Sequence, residues 1–600
     1  MQKYLHTAIL AGAVALLWLV HFILPALPDP GDGVYHYQIA RFSWQHPELL
    51  LDHWGKPLFT ILSSPFAQFG FSGMVLFNLI LFAISAYVLN KAIGPRPWSL
   101  PLIMIFLLFS PMYLKMIYAG MTEILFSTVA VVSVALVYKK RFIAGAIAAS
   151  FLPYCRPEYI VLMPLLAIWI SYQKQWKALP FLALGSVLFA LFGCALLEDP
   201  LWYIHNNPYT GAEDIYGSGS LWHFVKSSQQ IWGLPFISLF LMGVCCMFLS
   251  WREERAQFLF ILSFGTATGV LFVHSLLWWQ GERGSLGLVR VIATVVPLMI
   301  PLVLLGGDYL LKLLVLNFKF KWTGLAAVSL FLLWGCIELK NQHPLPTSQG
   351  ATEHMLEEAA AWLGEHRTAG HKVSYLYPYF GYAADLDPYN EEETWLIWGL
   401  DQTHPTLGLS PGDWVVWDAH FGPNEGKLDL SQLSENEQFT LKKVIYPPEA
   451  FKVLGGRIFE VYIYQVAPRP EKETLHEQVG LLEEMKYPAG TEYVNLFRDA
   501  SFYHCNGVKQ MVWVKGGVKA SSAKPNSGFQ LCFTQRKEGE VVYHRSINVP
   551  VTPDWTPLSI YFEVDADIGV SDENVIYILN PEQIEMEVAG VSLTQKCSNW

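Results

Sequence analysis

Apolar runs crowd the chain from residue 6 to about 340 and then give way to mixed sequence. The runs cover 6–26, 72–90, 99–116, 120–138, 142–153, 157–172, 179–197, 233–250, 257–278, 288–306 and 322–338. Crossing a bilayer takes about 20 helical residues, so the pattern predicts about eleven spans, with 142–153 short enough to be tilted or broken. Beyond Lys340 the periodicity changes. Residues 352–367 place Met355, Leu356, Ala359, Trp362 and Leu363 on one helical face, and strand-like runs follow at 372–377, 413–418, 441–446 and 457–465. APRPEKE, near 468–475, reads as a linker. From 490 to 596 short alternating strands (YVNLF, QMVWV, FQLCF, VVYHR, LSIYFEV, VIYIL, MEVAGVSL) recur between turn signals, as in a β-sandwich. The expected fold class is therefore a polytopic α-helical membrane domain (1–340), followed by a soluble α/β domain (345–468) and a C-terminal β-sandwich (475–600).

Sidedness follows from the basic residues. Lys3, Lys91, Arg96, Lys139, Lys140, Arg141, Lys174, Lys177, Arg252, Arg255, Lys312, Lys319 and Lys321 fall in alternate connections, which belong in the cytoplasm. The other connections are longer and richer in acids and aromatics. An odd span count then puts the N-terminus inside and residues 340–600 outside. The 6–26 run is long and lacks a small-x-small cleavage pattern, so it reads as an anchor. No Asn-x-Ser/Thr acceptor occurs, which favours a bacterial inner membrane over the endoplasmic reticulum.

Composition sharpens this. Charged residues are 15% of the chain, against about 25% in soluble domains. A net charge of −11 with no basic stripe excludes nucleic acid as a partner. The eight cysteines follow no metal-ligand spacing. Cys155, Cys194, Cys245, Cys246 and Cys336 accompany apolar runs; two of Cys505, Cys532 and Cys597 would pair if their domain is extracytoplasmic, without the sequence saying which.

Candidate chemistry concentrates in the first outer connection, PDPGDGVYHYQIARFSWQHPELLLDHWGKPLFTIL. Asp29 and Asp32 lie directly after the first span. Asp32 can cap a helix on which His36 falls one turn later, so the carboxylate and imidazole could share a face. A carboxylate at a cavity mouth suits a general base for an incoming hydroxyl. The plain alternative is a cap at Asp32 and a turn at Asp29.

An acidic motif after the first span, an amphipathic juxtamembrane stretch, many spans and an outer C-terminal region resemble the GT-C membrane glycosyltransferases. The resemblance covers roughly residues 1–340. It implies transfer of a sugar from a polyprenyl-phosphate donor to a glycan, lipid or protein acceptor outside the cytoplasm. Such families carry an Asp-Glu pair where this chain reads Asp32-Gly33, which leaves Asp32 as base and Asp29 as the alternative. Arg156-Pro157-Glu158 resembles the Arg-Pro-Glu of several such enzymes, and Glu123 stands at another outer edge. These, with His53, are candidate substrate-binding residues. Arg290 and Arg283 match the region where the family places an Arg near the carrier phosphate, a role that suits the guanidinium fork. Structural alternatives for Arg290 are an ion pair with Glu282 or Glu158, or snorkelling.

Lys56 is a further candidate for the phosphate or a snorkelling side chain. The 198–232 connection, with Trp202, Tyr203, His205, Tyr209, Tyr216, Trp222 and His223, could cover an acceptor cleft or form an interfacial belt. Asp418, His420 and Glu425 read as a surface loop rather than a metal site. Trp555 and the closing strand 584–594 resemble carbohydrate-binding jelly rolls. Phosphate is a good leaving group, so no cofactor is required, and a divalent metal is compatible with the reaction. The rival functions are an oligosaccharide ligase or polymerase on a similar scaffold, a non-enzymatic exporter, which favours inverted repeats, and an assembly or receptor protein.

Overall fold

The computed structural model describes all residues except 1, 25–27, 95–97, 207–216, 283–284, 318–320, 344–348, 402–404, 437, 468–473, 483, 499–508, 521–527, 551–552, 565–572 and 599–600. The chain forms two compact units, Met1–Gln349 and Gly350–Trp600.

The first unit is helical. Its early elements are α1 (Gln2–Ile23), α2 (Asp32–Phe42), α3 (Pro57–Ala67), α4 (Phe71–Ile93), α5 (Ser99–Leu108), α6 (Pro111–Tyr118), α7 (Glu123–Tyr138), α8 (Phe142–Ala149), α9 (Tyr159–Tyr172) and α10 (Leu184–Leu196). Among the described residues each of the eleven apolar runs falls on helical structure, though not each at full crossing length. Among the described residues five helices are long and apolar enough to cross: Leu5–Ile23, Phe71–Ile93, Trp176–Leu196, Glu254–Gln280 and Val289–Leu313. A sixth follows if α5 and α6, bent by 83°, make one broken span. The bend falls at Ser110-Pro111, where proline cannot continue the preceding helix. The runs at 120–138, 142–153, 157–172 and 233–250 give helices of 16, 8, 14 and 16 residues. At about 1.5 Å per residue each falls short of a roughly 30 Å core.

Small residues and buried polar pairs set the packing. A Cβ on Gly243 would lie 1.9 Å from the Leu302 carbonyl oxygen, and one on Gly306 would lie 2.0 Å from that of Leu239. The helix Leu234–Leu249 therefore approaches Val296–Asn317 backbone to backbone. Between α4 and α7 the Ser85 and Thr128 hydroxyls meet at 2.9 Å. Asn78, also on α4, donates to the Met121 carbonyl at 3.1 Å. Trp18 on α1 donates to the Ser72 carbonyl.

In the second unit the helix expected over 352–367 is Ala351–His366. The mixed sheet has the order β1-β2-β4-β3, with β1 (Val373–Ser374), β2 (Trp414–Asp418), β3 (Phe439–Ile445) and β4 (Val461–Val466). Only β1 and β2 run parallel. Next come β5 (Thr474–Leu482), β6 (Met485–Tyr487), β7 (Tyr493–Phe497), β8 (Lys509–Ala520), β9 (Gly528–Lys537), β10 (Glu540–Pro550), β11 (Thr556–Val564), β12 (Glu573–Leu579) and β13 (Met586–Ser598). They form two facing sheets, β10-β9-β12-β7 and β11-β8-β13-β5, with β6 also on β13. Val512, Val514, Leu531, Phe533, Phe562 and Ile578 interleave between them, so alternate residues fill one core. Met511 and Trp513, on the other face of β8, pack with Trp417 and Tyr464 of the mixed sheet. Cys597 is disulfide-bonded and Cys532 is a buried free thiol; Cys505 lies outside the described residues.

Candidate active site

The site begins with a tight turn. The Asp29 carbonyl accepts the Val34 N–H at 3.0 Å, and its Oδ1 accepts the Gly33 N–H at 3.4 Å. Asp29 is thus the side chain that caps α2. Asp32, expected as the cap, is instead the first helical residue after Gly31, which makes no side-chain cap bond. A Cβ on Gly33 would sit 2.3 Å from the Ala119 carbonyl oxygen. Only glycine lets the start of α2 press against the turn between α6 and α7. That contact brings Asp29 and Asp32 to the N-terminal end of α7, where Glu123 begins the helix.

Arg290 enters this corner from a 3₁₀ segment, Val289–Val295, that leads into a membrane helix. Each of its nitrogens faces a carboxylate. Nη1 donates to Asp29 Oδ2 at 3.1 Å, Nη2 donates to Asp32 Oδ2, and Nε lies 3.8 Å from Glu123 Oε1. The chain continues inward through Arg156. Its Nη1 meets Glu123 Oε1 at 2.9 Å and Thr122 Oγ1 at 2.9 Å, and its Nε and Nη2 grip Glu158 at 3.1 Å. His274 Nε2 lies 3.6 Å from Glu158. Four carboxylates therefore share two guanidinium groups and an imidazole.

Exposure grades this network and divides its roles. The Glu123 and Glu158 side chains are 0% and 1% exposed, Arg156 10%, Arg290 15%, Asp29 21% and Asp32 29%. Asp29, Asp32 and Arg290 are the more exposed members. Glu123, Arg156 and Glu158, expected as substrate contacts, are the more deeply buried members, and Glu123 links Arg156 to Arg290. The partners proposed for Arg290 are also revised: Glu158 belongs to Arg156, and Arg290 pairs with Asp29, Asp32 and Glu123.

His36 is buried against Phe59. Burial first, then Lys56, Arg156 and Arg290, hold it well below the usual imidazole range. Lys56 is buried at a left-handed backbone position (φ 60°) and donates to the His53 carbonyl at 3.2 Å. His53 stacks on Tyr203 at 4.3 Å, and burial followed by the charge of Lys56 lowers it to about 4. Arg283 lies outside the described residues.

The aromatic connection is partly core. Trp202 is buried and donates to the Phe189 carbonyl, while Tyr203 donates to that of Pro153. Both rings pack with Tyr154; Trp202 is fully buried and Tyr203 half-buried. Trp222 stays 62% exposed; Tyr209 and Tyr216 are outside the described residues. In the second unit, Asp418 Oδ1 accepts the His420 and Phe421 N–H groups at 2.9 and 2.7 Å, a local turn. Burial, with Glu425 adding to it, pushes the Asp418 carboxyl up to about 7.

Sequence reasoning missed His274. A single histidine in an apolar run reads as a core residue, and its partner Glu158 is distant in the chain. Among the described residues no group of three or more His, Cys, Asp or Glu side chains is placed to hold a metal.

No protein-family model matches the chain, and no curated protein matches it. Among solved structures it is similar to ArnT from Cupriavidus metallidurans bound to undecaprenyl phosphate. That likeness has 13% identity and a TM-score of 0.48, covering 76% of this chain and 97% of that one. The apo state of ArnT gives 14% identity, 78% and 99% coverage and the same TM-score. Arabinofuranosyltransferase AftD from Mycobacteria is similar at 11% identity and a TM-score of 0.41, over 97% of this chain and 58% of that one.

Proposed function

We propose that this chain is an inverting membrane glycosyltransferase that takes a sugar from a polyprenyl-phosphate donor and passes it to an acceptor hydroxyl outside the cytoplasm. The observation that carries this reading is the meeting of Asp32 and Arg290, 258 residues apart, at the accessible rim of one charged cluster. A guanidinium beside a membrane helix can hold the phosphate of a lipid carrier while staying charged. A neighbouring carboxylate can take a proton from the acceptor.

In this scheme the acceptor O–H gives its proton to Asp32 as its oxygen bonds to the anomeric carbon. The bond from that carbon to the phosphate oxygen breaks on the opposite side, and the electron pair leaves with the polyprenyl phosphate, whose charge Arg290 balances. One in-line displacement inverts the anomeric centre. Arg156, Glu123 and Glu158 support the guanidinium from below, so its geometry is set before the donor arrives.

Two further features favour this reading. Glu123, Glu158 and Arg290 all lie at or beside the N-terminal ends of apolar helices rather than at their middles. An exporter would need its ionisable groups along a mid-membrane path. The disulfide at Cys597 suits an oxidising compartment, in keeping with the outer placement of the second unit.

The test is transfer of radiolabelled sugar by the full-length protein in vesicles, across a panel of polyprenyl-phosphate pentoses and hexoses. The expected result is donor-dependent product with inverted anomeric configuration. Retained configuration, or no transfer from any such donor while lipid export persists, would contradict the proposal.

A further inference from the structure

Asp29 and a donor phosphate compete for the same atoms. Asp29 Oδ2 occupies Nη1 of Arg290 at 3.1 Å, while its Oδ1 accepts the Gly33 N–H. With Asp32 on Nη2 and Glu123 beside Nε, carboxylates face every nitrogen of the guanidinium. Phosphate recognition uses the same paired N–H donors. Four carboxylates already outnumber the two guanidinium groups of the network, so an added anion meets repulsion unless a carboxylate yields. Glu123 is fully buried and also held by Arg156. Asp32 is the proposed base. Asp29 remains: partly exposed, and bound to Arg290 through one oxygen.

We infer that Asp29 is a placeholder that holds Arg290 for the donor and surrenders Nη1 to the donor phosphate, so that its charge sets donor affinity. This positioning role rests on the proposed function. It makes a counterintuitive demand: removing the Asp29 charge tightens donor binding.

Asp29→Asn keeps a side-chain oxygen for the Gly33 N–H and deletes the charge; Asp29→Ser does the same with a hydroxyl. Binding of polyprenyl phosphate to the full-length protein in vesicles, and KM against kcat for a polyprenyl-phosphate sugar, are then measured. Both variants are expected to lower Kd and donor KM by roughly fivefold, what a partly exposed ion pair is worth at the upper end of its range. A merely structural Asp29 would give unchanged or weaker donor binding, and that result in both variants overturns the inference. Arg290→Ala separates this from failure of the underlying reading. If Arg290→Ala binds polyprenyl phosphate like wild type, the phosphate role of Arg290 falls, and the placeholder with it. If Arg290→Ala loses binding while neither Asp29 variant gains any, the placeholder alone falls.

Discussion

Around Arg290 three carboxylates face one guanidinium, whereas Asp418 in the second unit accepts the backbone N–H groups of its own turn and, among the described residues, has no basic side chain in an ion pair with it. Both groupings are acidic and partly or fully withdrawn from water. The Arg290 cluster joins residues from both ends of the first unit and keeps two carboxylates within reach of solvent. The Asp418 grouping is local, closed by residues two and three positions on, and buried. A charge that a distant part of the chain must neutralise implies a built site. A carboxylate that closes its own loop needs no further role.

That contrast can be broken most severely at Arg290. Arg290→Ala leaves Asp29, Asp32 and the buried Glu123 without their shared counterion. We expect a stability loss of about 3 kcal/mol, the lower end for a broken buried pair because both aspartates remain partly hydrated. Thermal unfolding in detergent checks it; an unchanged midpoint would mean that the cluster is not held by Arg290. Glu158→Gln should act less strongly. It keeps one acceptor oxygen for Arg156 and leaves the accessible rim untouched, so we expect about 2 kcal/mol of destabilisation, the worth of a hydrogen bond to a charged group, and a smaller loss of transfer than an Arg290 variant gives. An equal or larger loss would make Glu158 a substrate contact after all.

The remaining prediction concerns Asp418, and it is one of pH rather than of transfer. Unfolded, this carboxyl ionises near its ordinary 3.8; folded, near 7. Between those values the folded chain keeps a proton that the unfolded chain has released. The stability contribution is therefore complete below about pH 4 and lost as pH rises through about 7. Glu460, lifted to about 7 by burial, adds a contribution of the same sign. Asp418→Asn keeps the oxygen that closes the turn and removes the ionisation. Its melting temperature should fall less than that of wild type between pH 4 and 7, with sugar transfer at the wild-type rate. An unchanged pH slope, or lost transfer, would erase the distinction between the two groupings.

The helical and β regions were legible because hydropathy runs and alternation are local signals. Crossing counts were less so: Ser110-Pro111 bends one run, and several others end as helices too short for the bilayer. The strand Thr474–Leu482 went unread beside a proline-rich linker. At the site, Asp32, Arg290, Glu123, Arg156 and Glu158 were each readable as out of place near apolar runs. Their partners were not, because pairing depends on how helices pack. The close approach of Gly33 to Ala119 determines which carboxylates reach Arg290, and periodicity carries no trace of that contact. His274 was hidden for the same reason.

The central claim, a base and a phosphate-binding cation side by side, is tested most directly by measuring polyprenyl-phosphate binding and sugar transfer together in Asp32→Asn and Arg290→Ala. Asp32→Asn should retain carrier binding and lose transfer by about 10²–10⁴-fold, the usual worth of a general base. Arg290→Ala should lose both. Full transfer in Asp32→Asn, or carrier binding by Arg290→Ala equal to that of wild type, would contradict the account.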